Sequence, residues 1–349
     1  MNRQVSRSRA AALAAALVAG SLVASAGGAA VASPPRHRAP AARSASISVG
    51  LAALWISAPI YVAELHGFFA REHLNVAPVI VASTPAMVAA IQSGSMQFGA
   101  GALTTEFQAE SQGIGLKILA PNAGLEPNLQ VTAVAANSPI TSLKEVAGKT
   151  FCVNVLNGQD EAQAKWLLAQ NGVNPSSVKF IAIPFQAMVS ALQTGEADVC
   201  DVVAPYAGAA LAAGQIRKIG DDNLFFGPYG SPATAYFGSA RYVATHRSVV
   251  ERFVAAMMAT QQFLRKHPRA AIDVLPDFLG VTRAQAAHTP LGSYPTAFNV
   301  KLLQLVLDRS AAEGIVSKRF PVTRELWAGA PTTKPAKKTA AKPAASRRR

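Results

Sequence analysis

Five short stretches of this chain set aromatic, hydroxyl and amide side chains between an apolar run and the start of a helical pattern. They are Leu54–Ser57, Ser83–Thr84, Gly101–Thr104, Asn157–Asp160 and Pro205–Tyr206. Their chemistry is that of non-covalent binding. Trp55 offers a flat face to a planar ligand, or else packs between structural elements. Ser57, Thr84 and Thr104 can hydrogen-bond an oxyanion or an amide, and the same hydroxyls suit helix N-caps. Asn157 and Gln159 bring amides to another helix start, where Asn157 can instead form a capping arrangement with Asp160. Gly101, Leu103 and Pro205 complete the loops, and Tyr206 either closes over a ligand or stays a half-buried structural ring. None of the five loops contains Lys or Arg, whereas Asp160, Glu161 and Glu106 lie at or near helix starts. A sulfonate can be held by backbone N–H groups and hydroxyls alone, and a neutral or weakly basic heteroaromatic is its rival.

Signatures of catalysis do not accompany these loops. The chain has no G-x-S-x-G, no P-loop, no G-x-G-x-x-G after a strand and no H-E-x-x-H. The six His are scattered, and neither Cys has a metal-ligand pattern around it. We therefore expect no catalytic residue, no metal and no cofactor. His66 and His73 flank a helix end and are expected in solvent.

The formal charge of +14 points to a nucleic-acid or membrane partner until it is located. Residues 1–46 carry six Lys/Arg and no acid, and residues 331–349 carry seven and no acid. That leaves 20 basic against 19 acidic residues between them, so no basic face remains to track a phosphate backbone. Residues 1–32 read as a signal peptide: a basic start, an apolar stretch, and Ala30–Ala32 as a small-x-small cleavage site before Ser33. Glycines and serines interrupt that stretch before it reaches the ~20 apolar residues of a membrane span. No Cys follows it, so an exported protein without a lipid anchor is expected, in the periplasm or the cell envelope. Residues 33–46 read as a disordered Pro/Arg lead-in and 331–349 as a low-complexity Lys/Ala/Pro tail. The tail either touches an anionic envelope surface or merely solubilises.

The elements that must position the loops are written in a repeat. "AMVAAIQSGSMQFGAGA" (Ala86–Ala102) returns 101 residues later as "AMVSALQTGEADVCDVV" (Ala187–Val203). Such a spacing is too long for a solenoid and indicates two similar lobes. Each half alternates short strands, apolar on both faces, with helical stretches, as parallel strands covered on two sides do. The repeat is the second helix of each half plus the strand it feeds. "LQVTAVAAN" is an extended run suited to crossing between lobes. Lobe 1 is expected over 47–135, lobe 2 over 136–232, and a return to lobe 1 with C-terminal helices over 233–330. Ligands of open α/β sheets bind beyond the carboxyl ends of the strands. There helix N-termini offer free N–H groups, and the five loops lie at those positions.

"PIYVAELHGFFAREHLNV", "AAIQSGSMQFGAGA", "QGIGLKILA", "SLKEVAGKTFCVN", "SALQTGEADVCDVVAPYA" and "RSVVERFVAAMMATQQFLRKHP" follow one another in an order that resembles the substrate-binding proteins of nitrate/sulfonate/taurine-type ABC importers. Thiamine-pyrimidine binding proteins and pyrimidine-precursor synthases share the fold. The resemblance covers about residues 47–325 and implies a bilobed periplasmic-binding-protein clamp, two doubly wound, mostly parallel sheets joined by hinge strands. It implies a monomer that closes on a small organic molecule and delivers it to an ABC permease. In the family's strand order, the strands of Cys152 and Cys200 are neighbours. Bridges between adjacent parallel strands are uncommon, so two buried thiols are expected. Two rivals stand beside this reading. A pyrimidine-synthase-like enzyme would need a cysteine-rich iron-binding motif that the chain lacks. A secreted cell-envelope protein that kept the clamp without transport is suggested by the basic tail.

Overall fold

Strand β1 (Ala45–Ala52) is a mostly buried apolar run, and it sits inside a sheet with β2 (Leu74–Val81) and β3 (Phe98–Ala102) parallel on its two sides. The computed structural model describes residues 44–333. In it these strands join β4 (Leu116–Pro121) and β10 (Thr234–Ser239) in the order β2-β1-β3-β10-β4. A second sheet, β7-β6-β8-β5-β9, contains β5 (Gln130–Ala135), β6 (Thr150–Val153), β7 (Lys179–Ala182), β8 (Val199–Val203) and β9 (Ile216–Gly220). Each sheet has one antiparallel member, β10 in the first and β5 in the second. The strand orders correspond one to one, so the two halves share a topology as well as a repeated sequence.

Helices fill the connections: α1 (Ala58–Leu65), α2 (Phe68–Arg71), α3 (Thr84–Gln92) and α4 (Leu103–Ser111) around the first sheet, and α5 (Gln159–Gln170), α6 (Met188–Thr194) and α7 (Tyr206–Ala212) around the second. The repeat is α3 feeding β3 and α6 feeding β8. Its buried positions match, Met87 with Met188 and Ile91 with Leu192. Both copies turn from helix to strand through a glycine at positive φ, Gly94 at 81° and Gly195 at 76°, a conformation that disfavours any residue with a Cβ.

The expected boundary at residue 135 shifts. β5 is not a free crossing segment: it pairs with β8 on one side and β9 on the other. Its apolar residues are buried nearly throughout, and a run buried on both faces needs two hydrogen-bonding neighbours. The chain therefore crosses before β5, over residues 122–129, and returns over 221–233 into β10. β1 likewise begins inside the stretch expected as lead-in. Pro331–Thr333 are pinned to Phe298 by backbone hydrogen bonds, although they were expected as tail. The leader, residues 33–43 and the tail beyond 333 lie outside the described residues.

The C-terminal third contains α8 (Ala240–Thr245), α9 (Arg247–Lys266), three short helices α10 (Ala270–Asp273), α11 (Leu275–Leu279) and α12 (Arg283–Ala287), and α13 (Val300–Ala312). In α9 Val250, Phe253, Val254, Met257 and Leu264 recur at helical spacing and are buried, with Phe253 stacked on Phe98 of β3. Among the described residues no helix is long and apolar enough to cross a membrane.

The expectation of two thiols is overturned: Cys152 and Cys200 form a disulfide. They are register partners on the adjacent parallel strands β6 and β8, with Cα atoms 4.5 Å apart. That separation lies inside the range a disulfide spans.

Candidate functional site

Between the two sheets lies a cavity of about 550 Å³. From the first half it takes the ends of β1, β2 and β3 with their following loops, the first turn of α4 at Thr105, and the start of β10 at Ala233 and Thr234. From the second it takes Gln130 at the start of β5, Asn154 and Val155 after β6, the start of α5 at Gly158–Asp160, Pro184–Gln186 after β7, and Val203 at the end of β8. These are the carboxyl ends of the parallel strands and the amino ends of the antiparallel ones, as open α/β sheets require.

The repeat extends into the lining. Counting 101 residues forward, Ser83, Thr84 and Pro85 become Pro184, Phe185 and Gln186, and Ala102 becomes Val203. All eight line the cavity. Each copy thus supplies a wall from the same two places, the residues at the entry to its helix and the last residue of its strand.

Of the ten residues expected at a site, three line this cavity: Trp55, Thr84 and Gln159. Trp55 is only 3% exposed, and a Cβ built on Gly292 would lie 2.2 Å from its Cζ3. The indole is therefore clamped on one side by that segment, and its packing role and its cavity wall coexist. Thr84 does not cap α3. Ser83 accepts from Ala86 N (3.4 Å), while Thr84 Oγ1 accepts from Ala102 N (3.3 Å) and ties the start of α3 to the end of β3. Gln159 opens α5 with its Oε1 buried and unpartnered.

The other seven stand behind or beside the wall. Ser57 is fully buried and its hydroxyl donates to Ala52 O (2.6 Å) instead of capping α1. Gly101 backs Thr84, since a Cβ there would meet Thr84 Cγ2 at 2.6 Å. Leu103 is buried and donates its N–H to Ala233 O (3.3 Å). Thr104 is buried with its hydroxyl unpartnered, and the next residue, Thr105, faces the cavity instead. Asn157 does not pair with Asp160. Held at φ 55°, it donates its N–H to Glu161 Oε2 (2.7 Å), and its carbonyl accepts from Gln108 of α4 (3.3 Å). Pro205, after a cis bond, and Tyr206 begin α7, where Tyr206 packs on the core of the second sheet.

Reading by loops missed Gln130, Asn154, Phe185, Gln186, Thr105 and Thr234. A signal was present for Phe185 and Gln186: the repeat aligned three residues further upstream would have found them. Gln130 carried none, because its place depends on β5 belonging to the second sheet.

Among the described residues no Lys, Arg or His lines the cavity, and Asp160 is the one ionisable side chain that does. Burial raises the Asp160 carboxyl to about 6, against the lowering effect of the Asn154 N–H it accepts (3.4 Å). Behind it lie Asp201 of β8 and Asp222, both fully buried. Burial raises both, Asp222 to about 7 and Asp201 well above the usual carboxylate range, and nearby carboxylates push both further up. Gln130 Nε2 donates to Asp201 Oδ2 (2.6 Å). Among the described residues no group of His, Cys, Asp or Glu is arranged to hold a metal ion. The site can thus enclose a small molecule and hydrogen-bond it.

The family model described as NMT1/THI5 like matches residues 56–271. The alkanesulfonate-binding protein SsuA from Xanthomonas axonopodis pv. citri, bound to MOPS, superposes with TM-score 0.69 at 17% identity, covering 82% of this chain and 99% of that one. The Candida albicans CA3427 gene product, described as having the generic periplasmic binding protein fold, gives TM-score 0.69 at 14% identity over 84% of this chain and 99% of that one. The periplasmic nitrate-binding protein NrtA from Synechocystis PCC 6803 gives 0.65 at 16% over 78% and 82%. Among curated proteins none matches the sequence significantly. At these identities the likeness carries the fold, a bilobed α/β clamp of the periplasmic-binding-protein kind.

Proposed function

The chain belongs to the NMT1/THI5-like family, and from that premise we propose that it is an exported, non-catalytic solute-binding protein that captures a small organic molecule between its lobes for an ABC importer. The observation that carries this reading is the mirrored lining. A cavity of about 550 Å³ is the size of a small-ligand site, and the repeat contributes equivalent residues to it from both halves. A ligand that touches Thr84 and Phe185 together stabilises the arrangement in which the halves face each other, and only such differential contact can drive closure. The solved proteins that share the fold include binders of alkanesulfonate and of nitrate, which supports the class without naming this chain's ligand.

The test is thermal unfolding of the full chain against nitrate, taurine, alkyl and aryl sulfonates, thiamine pyrimidines and aromatic carboxylates, with calorimetry of any compound that raises Tm. A ligand at ~100 times its Kd adds about 2.7 kcal/mol. Phe185→Ala removes one aromatic wall, and for a ring-bearing ligand the expected loss of affinity is about threefold to tenfold. Tyr206→Ala, away from the cavity, leaves it unchanged. A bound compound indifferent to Phe185→Ala but weakened by Tyr206→Ala would move the site elsewhere.

A further inference from the structure

The solved proteins of this fold include anion binders, yet among the described residues the one charged side chain lining this cavity is a carboxylate, Asp160. Beyond Asn154 N, at 3.4 Å, no group among the described residues donates to that carboxylate. Gln130 is 4% exposed. Its Nε2 is committed to Asp201, which leaves Oε1, the acceptor, without a protein partner on a residue that lines the cavity. Gln159 Oε1 is likewise unpartnered. The helix starts at the cavity carry features that work against an anion. The start of α5 carries its own carboxylates, Asp160 and Glu161, the latter accepting from Asn157 N (2.7 Å). At the start of α3 Pro85 lacks an N–H and the Ala86 N–H goes to Ser83. A helix N-terminus attracts anions through free N–H groups and a positive dipole end; at α5 no side chain caps the first N–H groups, but two carboxylates in the first turn oppose a second negative charge there.

The groups behind the wall are acids, which supply no positive charge when protonated and a negative one when ionised. Asp201 from β8 and Asp222 from the crossing segment face Asp160, and the neighbouring Glu161 is already paired with Lys165 (2.5 Å). An anion entering the cavity would be desolvated beside these carboxyls with no cation in the wall to compensate, which is costly. A cation would meet a carboxylate that needs a partner and aromatic walls at Trp55 and Phe185 whose faces attract positive charge.

We propose that the cavity selects a small, flat organic cation of the amidinium or guanidinium class, whose N–H groups are received by the Asp160 carboxylate and Gln130 Oε1. The inference rests on the solute-binding reading and specifies the ligand's charge. Two parallel N–H donors on a planar cation match a carboxylate in the geometry that makes such pairs strong. Since Asp160 protonates on the acid side of neutrality, holding such a cation is pH-dependent: affinity is full above the Asp160 pKa and declines below it.

The probes are benzamidine, benzamide and benzoate, three molecules of one shape with charges of opposite sign and none. Binding to the full chain is measured by calorimetry at pH 7.5 and pH 5.0. Benzamidine is expected to bind at least tenfold more tightly than the other two, and to lose about tenfold between the two pH values as Asp160, with a pKa of about 6, takes up a proton. Asp160→Asn keeps the side chain's shape and its acceptor for Asn154 N. It should abolish both the preference and the pH dependence while the Tm of the unliganded protein confirms folding. Benzoate or benzamide binding as well as benzamidine, or an unchanged preference in Asp160→Asn, overturns the proposal. Tight binding of nitrate or a sulfonate at the same cavity would overturn it while upholding the solute-binding function. Silence toward all three probes overturns the cation inference alone, because the functional reading is judged on its own panel.

Discussion

Cys152 and Cys200 face each other across β6 and β8, fully buried. Their bond closes a loop of 48 residues that contains α5, β7 and α6. The start of α5 and the segment before α6 both line the cavity, so the bond holds together the wall on which Gln159, Asp160 and Phe185 stand. Restricting the unfolded chain by a loop of this length contributes about 4 kcal/mol in the chain-entropy account. The double substitution Cys152→Ala/Cys200→Ala should lower Tm by several degrees for a protein of this size, read by differential scanning calorimetry. A change of under a degree would mean that the sheet alone holds the loop closed.

The helix-plus-strand unit that the sequence repeats shows what was legible and what was not. Its existence and the placement of its two ends at the ligand cavity follow from spacing and alternation, because a helix buried on one side must show its apolar residues every third or fourth position. What spacing does not carry is the partner of each strand. β5 reads as a generic extended run, and only its pairing with β8 and β9 puts Gln130 at the cavity. The disulfide was illegible for the same reason: it depends on the register Cys152↔Cys200. Thr104 and Thr105 differ by one helical step of about 100°, so choosing between them needed the rotation of α4, which a short hydroxyl-rich start does not set. The two sheets also solve one packing problem differently. The first-sheet counterparts of Cys152 and Cys200 are Gly50 and Gly99, register partners on β1 and β3 beneath Met87. A Cβ on Gly99 would lie 2.4 Å from Met87 Sδ and 2.9 Å from Phe237 Cζ, both on buried side chains. In the second sheet the Cys200 sulfur, held in the disulfide, instead lies 3.7 Å from the carbonyl oxygen of Met188, the matching methionine. Gly99→Ala is therefore expected to cost about 1–3 kcal/mol by overpacking, measured by urea unfolding. A neutral result would show that α3 can lift from its sheet freely.

Among the described residues several acids are buried where burial outweighs whatever stabilises their charge. Burial raises Glu106 and Asp201 well above the usual carboxylate range, Asp160 to about 6, and Asp222 and Glu325 to about 7, with neighbouring carboxylates adding to the shift in Glu106, Glu325 and the Asp201–Asp222 pair. Each of these groups binds its proton more tightly folded than unfolded. Their contribution to stability is thus fully present below the ordinary carboxylate pKa and is lost as pH rises through the folded values, here from about 6 to 7 and above. The unliganded protein should accordingly melt at a higher temperature at pH 5.5 than at pH 8, the reverse of a protein whose carboxylates are paired with cations. Asp222→Asn removes one of the titrating charges and should raise Tm at pH 8 more than at pH 5.5, flattening the profile. The prediction is read from thermal scans in buffers of matched ionic strength. A wild-type Tm that climbs from pH 5.5 to pH 8 would mean that cations reach these carboxyls in solution. A slope that survives in Asp222→Asn would shift its origin to Glu106 and Glu325, at the junction of α4 with the C-terminal segment. Acids buried behind the cavity destabilise the fold as they ionise, and the cation proposed for Asp160 would offset part of that cost by offering the carboxylate a partner.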